Sequence, residues 1–195
     1  MILKSFKCHF GKSKKNLFTF KELENLLNLR PFVNNERLMV AGDTEYKWQG
    51  YSWQTDQNGW PISSLKKLLN EHSAYIRDCG KANKKINELC VELEKIFNRP
   101  VDCHIYFSFK KNMKGFGKHK DLANNFIVLC QGKIKVEVWA DKKIEKIMTP
   151  GDYVYIPAEI YHKITPLTDK RLSCSFPVSH HKNDRLFDER EWLTL

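Results

Sequence analysis

What the chain lacks narrows it quickly. None of its six cysteines falls in a Cys-x-x-Cys pair: Cys8, Cys79, Cys90, Cys103, Cys130 and Cys174 stand well apart. That spacing argues against a structural zinc site and a disulfide framework, and leaves reduced, mostly buried thiols as the expectation. No apolar run approaches the roughly 20 residues that a membrane helix needs. The start, Met1-Ile2-Leu3-Lys4-Ser5-Phe6-Lys7, has neither the long apolar stretch nor the small-residue cleavage site of a secretory signal, so a cytoplasmic, membrane-free protein is expected. Internal repeats and low-complexity linkers are missing too. Acidic residues are the minority, with 23 Asp and Glu against 33 Lys and Arg for a formal charge of +10. Such a balance invites an acidic or nucleic-acid partner. The lysines are scattered, however, with modest clusters at Lys12 to Lys15 and Lys110 to Lys120, and no nucleic-acid motif accompanies them. Nucleic-acid binding is not expected.

What is present suits one folded domain. At 195 residues, 42% of them hydrophobic and 12 of them Phe, the chain can bury a sizeable core. Its first hundred residues read as helix-rich. Thr19-Phe20-Lys21-Glu22 is a capping box, followed by an apolar helical face of Leu23, Leu26 and Leu27. Residues 31–61 read as irregular, with Trp48, Trp53 and Trp60 suited either to lining a substrate cleft or to anchoring a loop. Ser63 or Ser64 can cap a short helix carrying Leu65, Leu68 and Leu69. A longer helix is expected over about residues 80–97, with Ile86, Leu89, Leu93 and Phe97 on one side and Asn98-Arg99-Pro100 closing it.

From Val101 the period turns from helical to extended. Strands are expected at 102–109, 125–130, 133–139, 144–148, 152–156, 161–165 and 171–176. Turn signals such as Gln131-Gly132 and Pro150-Gly151-Asp152 separate them, which suggests an antiparallel barrel or double-sheet roll. The expected layout is a helix-rich part at 1–100 packed outside a barrel at 101–178, with a tail at 179–195.

Chemistry concentrates at His119-Lys-Asp121 and at His162, 43 residues on. Ligands at i and i+2 of an extended segment project to one side. A third from a distant strand completes a two-histidine, one-carboxylate face, which leaves coordination positions open for cosubstrate and O2 on a non-haem Fe(II) centre. Gly115-Phe116-Gly117 lets the chain bend just before His119. The run from Gly151 through Pro157 reads as turn, strand and second turn, bringing His162 to the start of a returning strand. His180-His181 is a weaker pair, because neighbours on an extended chain point apart.

The stretch from Arg99 to Pro177 resembles the cupin-type, JmjC-related 2-oxoglutarate oxygenases. The matching residues are Asn98-Arg99-Pro100-Val101, Gly115-Phe116-Gly117-x-His119-x-Asp121, Phe126, Gln131-Gly132-Lys133 and Gly151-Asp152 through Ile156-Pro157 to His162. The upstream region, from Phe18 through the helix at 80–97, is similar to the bacterial ribosomal-oxygenase-like cupin branch. The resemblance implies a mainly β fold, a double-stranded β-helix (cupin or jelly-roll barrel) with N-terminal helices packed outside. It implies His119, Asp121 and His162 as Fe(II) ligands, and hydroxylation coupled to decarboxylation of 2-oxoglutarate. The substrate it implies is an amino-acid side chain of a protein, with a small-molecule substrate, a metal cupin of another reaction type and a ligand-sensing cupin as alternatives.

This family commonly has a Lys or Arg two residues after the glycine here numbered Gly132, where it binds the distal carboxylate of 2-oxoglutarate. Ile134 stands there in this chain. Arg171 lies nine residues after His162, a spacing at which other 2-oxoglutarate oxygenases carry an arginine followed two residues later by serine. Arg171 is therefore expected to grip the carboxylate bidentately, with Ser173 assisting. Tyr106, Ser108 and Asn125 are further pocket candidates, and Lys135 is the fallback anchor. A C-terminal Trp192 suits packing on the barrel or a dimer contact, so a homodimer is left open.

Overall fold

The computed structural model describes residues 7–13, 16–29, 37–41, 67 and 69–179. Trp48, Trp53, Trp60, Ser63, Ser64, Leu65, Leu68, His180, His181 and Trp192 lie outside the described residues.

Strict alternation along the strands sorts side chains into two layers, and the fold follows from that sorting. In chain order the elements are β1 (His9–Lys12), α1 (Phe20–Leu27), β2 (Leu38–Val40), β3 (Ala74–Ile76), α2 (Lys84–Phe97), β4 (His104–Ser108), β5 (Asn124–Gln131), β6 (Ile134–Trp139), β7 (Lys143–Met148), β8 (Asp152–Ile156), β9 (Tyr161–Pro166) and β10 (Arg171–Val178). A seven-stranded sheet runs β1-β8-β5-β10-β4-β3-β2, and a three-stranded sheet runs β7-β6-β9. All pairings within both sheets are antiparallel.

One core lies between the sheets. Ile127 and Leu129 of β5 and Val154 and Ile156 of β8 meet Ile134, Val136 and Val138 of β6 and Met148 of β7. The residues between them in sequence face the other way. Val128 of β5, Ile105 and Phe107 of β4, and Leu172, Cys174 and Phe176 of β10 pack with Phe20, Leu23 and Leu26 of α1 and Ile86, Leu89 and Leu93 of α2. Each such side chain contributes roughly 1.5–3 kcal/mol when fully withdrawn from water. Every residue of β10 is buried, because this strand is covered on both faces. This is a cupin-type jelly roll with helices against the large sheet.

The helices α1 and α2 begin where side chains can satisfy their free amides. Thr19 caps α1 by accepting from the Glu22 amide, while the Glu22 carboxylate accepts from the Thr19 amide at 2.8 Å. The same carboxylate accepts from Asn83 Nδ2 at 2.8 Å, and Asn83 caps α2 by accepting from the Ile86 amide. Glu22 thus ties the starts of both helices together. The α2 helix ends at Asn98, whose φ of 50° is the left-handed conformation of a helix terminator.

All seven strands expected after Val101 are present, with ends within two residues of the expected ones. The first hundred residues differ from the helix-rich reading, because β1, β2 and β3 come from them and extend both edges of the large sheet. These strands have three or four residues each, too short to show an alternating pattern by themselves. The cysteines are free thiols, with Cys79, Cys90, Cys103 and Cys174 buried as small apolar residues. Burial pushes the Cys103 thiol up to about 12.

Candidate metal centre and carboxylate pocket

Main-chain hydrogen bonds bring the candidate ligands together before any side chain acts. The His119 amide donates to the His162 carbonyl at 3.0 Å, and the His162 amide returns a bond to the His119 carbonyl at 2.7 Å. The Glu159 amide donates to the Asp121 carbonyl at 2.8 Å. Glu159 sits in the turn before β9 with a φ of 62°, and Gly117, with a φ of 71°, makes the bend that leads into His119. A small ladder therefore clamps the 119–121 segment onto the start of β9.

The side chains converge above this ladder. His119 Nε2 lies 3.8 Å from Asp121 Oδ1, and His162 Nε2 lies 3.4 Å from Asp121 Oδ2. Donor atoms from His119, Asp121 and His162 all fall within 4.8 Å of one another. Each imidazole turns its other nitrogen to a main-chain carbonyl two residues back: His119 Nδ1 to Gly117 at 3.1 Å, His162 Nδ1 to Ile160 at 3.0 Å. A carbonyl only accepts, so both rings carry a proton on Nδ1, and Nε2 is the nitrogen turned to the Asp121 carboxylate and the space beside it. Burial holds the pKa of His162 below its ordinary value, against the opposing pull of Asp121, which favours the neutral ring that a metal requires. Two imidazoles and one carboxylate fit a divalent metal, and the open side of the cluster suits non-haem Fe(II).

A cavity that is partly open to solvent adjoins the cluster. Tyr106, Phe116, Ile127, Ile164, Arg171 and Ser173 line it together with His119, Asp121 and His162. The strand register explains the grouping. On β10, Arg171, Ser173 and Ser175 share the face turned away from the helices, and Arg171 pairs across to Ser108 while Ser173 pairs with Tyr106. Arg171 is 3% exposed. Its Nη1 donates to Ser173 Oγ at 3.3 Å, its Nε has no hydrogen-bond partner, and no carboxylate among the described residues pairs with it. Burial lowers its pKa to about 10, partly offset by Tyr106. The Ser108 hydroxyl, across the strand pair from Arg171 but not among the residues that line the cavity, is likewise buried without a partner.

The remaining candidates fall elsewhere. Asn125 does not line the cavity; it bonds to Asp121 and Ser175 from behind the cluster. Lys135 is on the outer face of the small sheet, 3.4 Å from Glu137 Oε2, and Ile134 is fully buried in the core between the sheets. Sequence reasoning did not single out Phe116, Ile127 or Ile164 as lining residues. The i+2 step from His162 to Ile164 and from Asn125 to Ile127 was the available signal. An aromatic wall was also missed: Tyr75 stacks on Tyr106 with centroids 4.7 Å apart, and Phe116 meets Tyr106 edge-on at 5.7 Å.

No family model and no curated protein matches this sequence. Solved structures do. The ribosomal oxygenase YcfD from Escherichia coli superposes with a TM-score of 0.66 at 20% identity, over 93% of this chain and 50% of its own length. The chain has the fold of that oxygenase. A structure of YcfD with cobalt and 2-oxoglutarate matches with a TM-score of 0.62 at 17% identity, over 93% of this chain and 50% of that one. Its complex with cobalt and succinic acid matches at 0.64 and 16% identity, over 91% and 49%. The chain spans about half the length of these structural relatives.

Proposed function

We propose that this chain is an Fe(II)- and 2-oxoglutarate-dependent hydroxylase that acts on an amino-acid side chain of a protein. One observation carries the reading: a buried arginine without a carboxylate partner among the described residues lines the same cavity as a two-histidine, one-carboxylate cluster. A buried cation left unpaired costs several kcal/mol, and a ligand carboxylate is the natural relief. Arg171 would bind the distal carboxylate of 2-oxoglutarate through its guanidinium, with Ser173 and Tyr106 as hydroxyl donors around it. His119, Asp121 and His162 would hold the metal, which supplies the oxidising chemistry when bound. Tyr106, Phe116, Ile127 and Ile164 would exclude water and orient the two ligands. Support for a protein substrate comes from the ribosomal-oxygenase description of the structural relatives.

The test is calorimetry with metal present and O2 excluded, followed by succinate measurement in air. The wild type should bind 2-oxoglutarate and form succinate slowly even without substrate. Arg171→Ala should weaken 2-oxoglutarate by about 100-fold, the loss of a charge-assisted bidentate contact, and Lys135→Ala should leave it unchanged. No cosubstrate binding by the metal-loaded wild type would overturn the proposal. The reverse order of the two variants would move the anchor away from Arg171.

A further inference from the structure

We infer that Asn125, held in turn by Ser175, is a positioning residue that sets how Asp121 presents its carboxylate to the metal; this rests on the metal reading above. Asn125 Nδ2 donates to Asp121 Oδ2, and Ser175 Oγ donates to Asn125 Oδ1 at 3.2 Å. The order of atoms is chemically forced. An ionised carboxylate only accepts, so the amide must turn its NH2 towards Asp121, which leaves its carbonyl oxygen for the serine hydroxyl. Asn125 and Ser175 are 8% and 4% exposed, so water competes poorly for either bond.

The relay has a specific consequence for the ligand atoms. The amide holds one lone pair of Oδ2 and so fixes the plane of the carboxylate, whose remaining lone pairs stay beside the two histidine Nε2 atoms. The preceding residue works on the other half of the site. Asn124 Oδ1 accepts from the Ala158 amide at 3.0 Å, fixing the turn that leads into His162. The first two residues of β5 therefore brace both segments that carry the ligands, although neither lines the cavity.

Co(II) titration of the intact protein, followed by its visible absorption without O2, tests this directly. Asn125→Ala should weaken Co(II) by about 10- to 100-fold and alter the band shape, since the carboxylate is free to rotate or chelate. Ser175→Ala leaves the amide in place but loses its support, and should weaken Co(II) by about fivefold. Unchanged affinity and an unchanged spectrum in Asn125→Ala would overturn the inference. Should that variant fail to fold by circular dichroism, wild-type affinity in Ser175→Ala would overturn it instead. A wild-type protein that binds no Co(II) removes the metal reading itself, and the inference with it.

Discussion

Arg171 is buried without a carboxylate partner among the described residues, a cost that a bound carboxylate would relieve, and this separates stability from binding at a single residue. Replacing a buried, unpaired charge by an apolar side chain of similar length is commonly neutral or stabilising. Arg171→Met should therefore raise the stability of the protein without cosubstrate by about 1–2 kcal/mol in urea unfolding, while 2-oxoglutarate binding weakens by about 100-fold, as in Arg171→Ala. A large loss of stability would mean that the guanidinium is satisfied within the fold and would weaken the case for it as an anchor. At the same scale lies the limit of what could be read from sequence. The triplet His119-Lys-Asp121 and the later His162 stand out because ligand chemistry needs those residue types. Asn125 did not show its contact with Asp121, since an asparagine's partners depend on which strand lies beside it. Lys135 stood only as the fallback anchor, and the small sheet turns it outward to Glu137.

Elements carry the next set of consequences. Gly132, with a φ of 79°, makes the turn between β5 and β6, and an added Cβ would come within 2.7 Å of Thr168 Oγ1 and 3.1 Å of Arg171 Cα. Gly132→Ala should cost about 2 kcal/mol and weaken 2-oxoglutarate as well, because the relief of that clash moves the backbone of Arg171. Thermal melts and cosubstrate titrations of this variant should change together. Glu22 is a second case. Its partial burial alone would raise the pKa, but hydrogen bonds from Thr19 and Asn83 outweigh that and lower it. A folded pKa below the unfolded one stabilises above the ordinary glutamate range and is lost as pH falls through the folded value. The stability gap between wild type and Glu22→Gln should accordingly be full at pH 7 and close as pH drops below about 4. A gap that persists at pH 3 would assign the effect to packing rather than to the carboxylate. The strands after Val101 were legible because five or more alternating residues mark a period, whereas β1, β2 and β3 borrow their conformation from the sheet they join.

At the scale of the whole molecule, the barrel is a frame whose stability should answer to its ligands. A ligand at 100 times its dissociation constant adds about 2.7 kcal/mol to a folded protein that binds it. For a chain of this size that corresponds to roughly 5–10 °C in melting temperature. Co(II) with 2-oxoglutarate should produce a shift of that order, Co(II) alone a smaller one, and 2-oxoglutarate without metal almost none. Equal shifts with and without metal would show that the carboxylate site works apart from the ligand cluster. Scanning fluorimetry at fixed metal concentration resolves these cases.

The two faces of β10 bear on how this gene can change. Arg171, Ser173 and Ser175 alternate with Leu172, Cys174 and Phe176, so the polar pocket and the oily helix contact are written into one strand, one residue out of phase. Point substitutions on either face can be absorbed one at a time. Loss or gain of a single codon within the strand exchanges every downstream side chain between them, sending an arginine or serines into the core and a phenylalanine into the cavity. In a library of variants, β10 should therefore accept changes of letter far more readily than changes of length, while the exposed turns of the small sheet accept both.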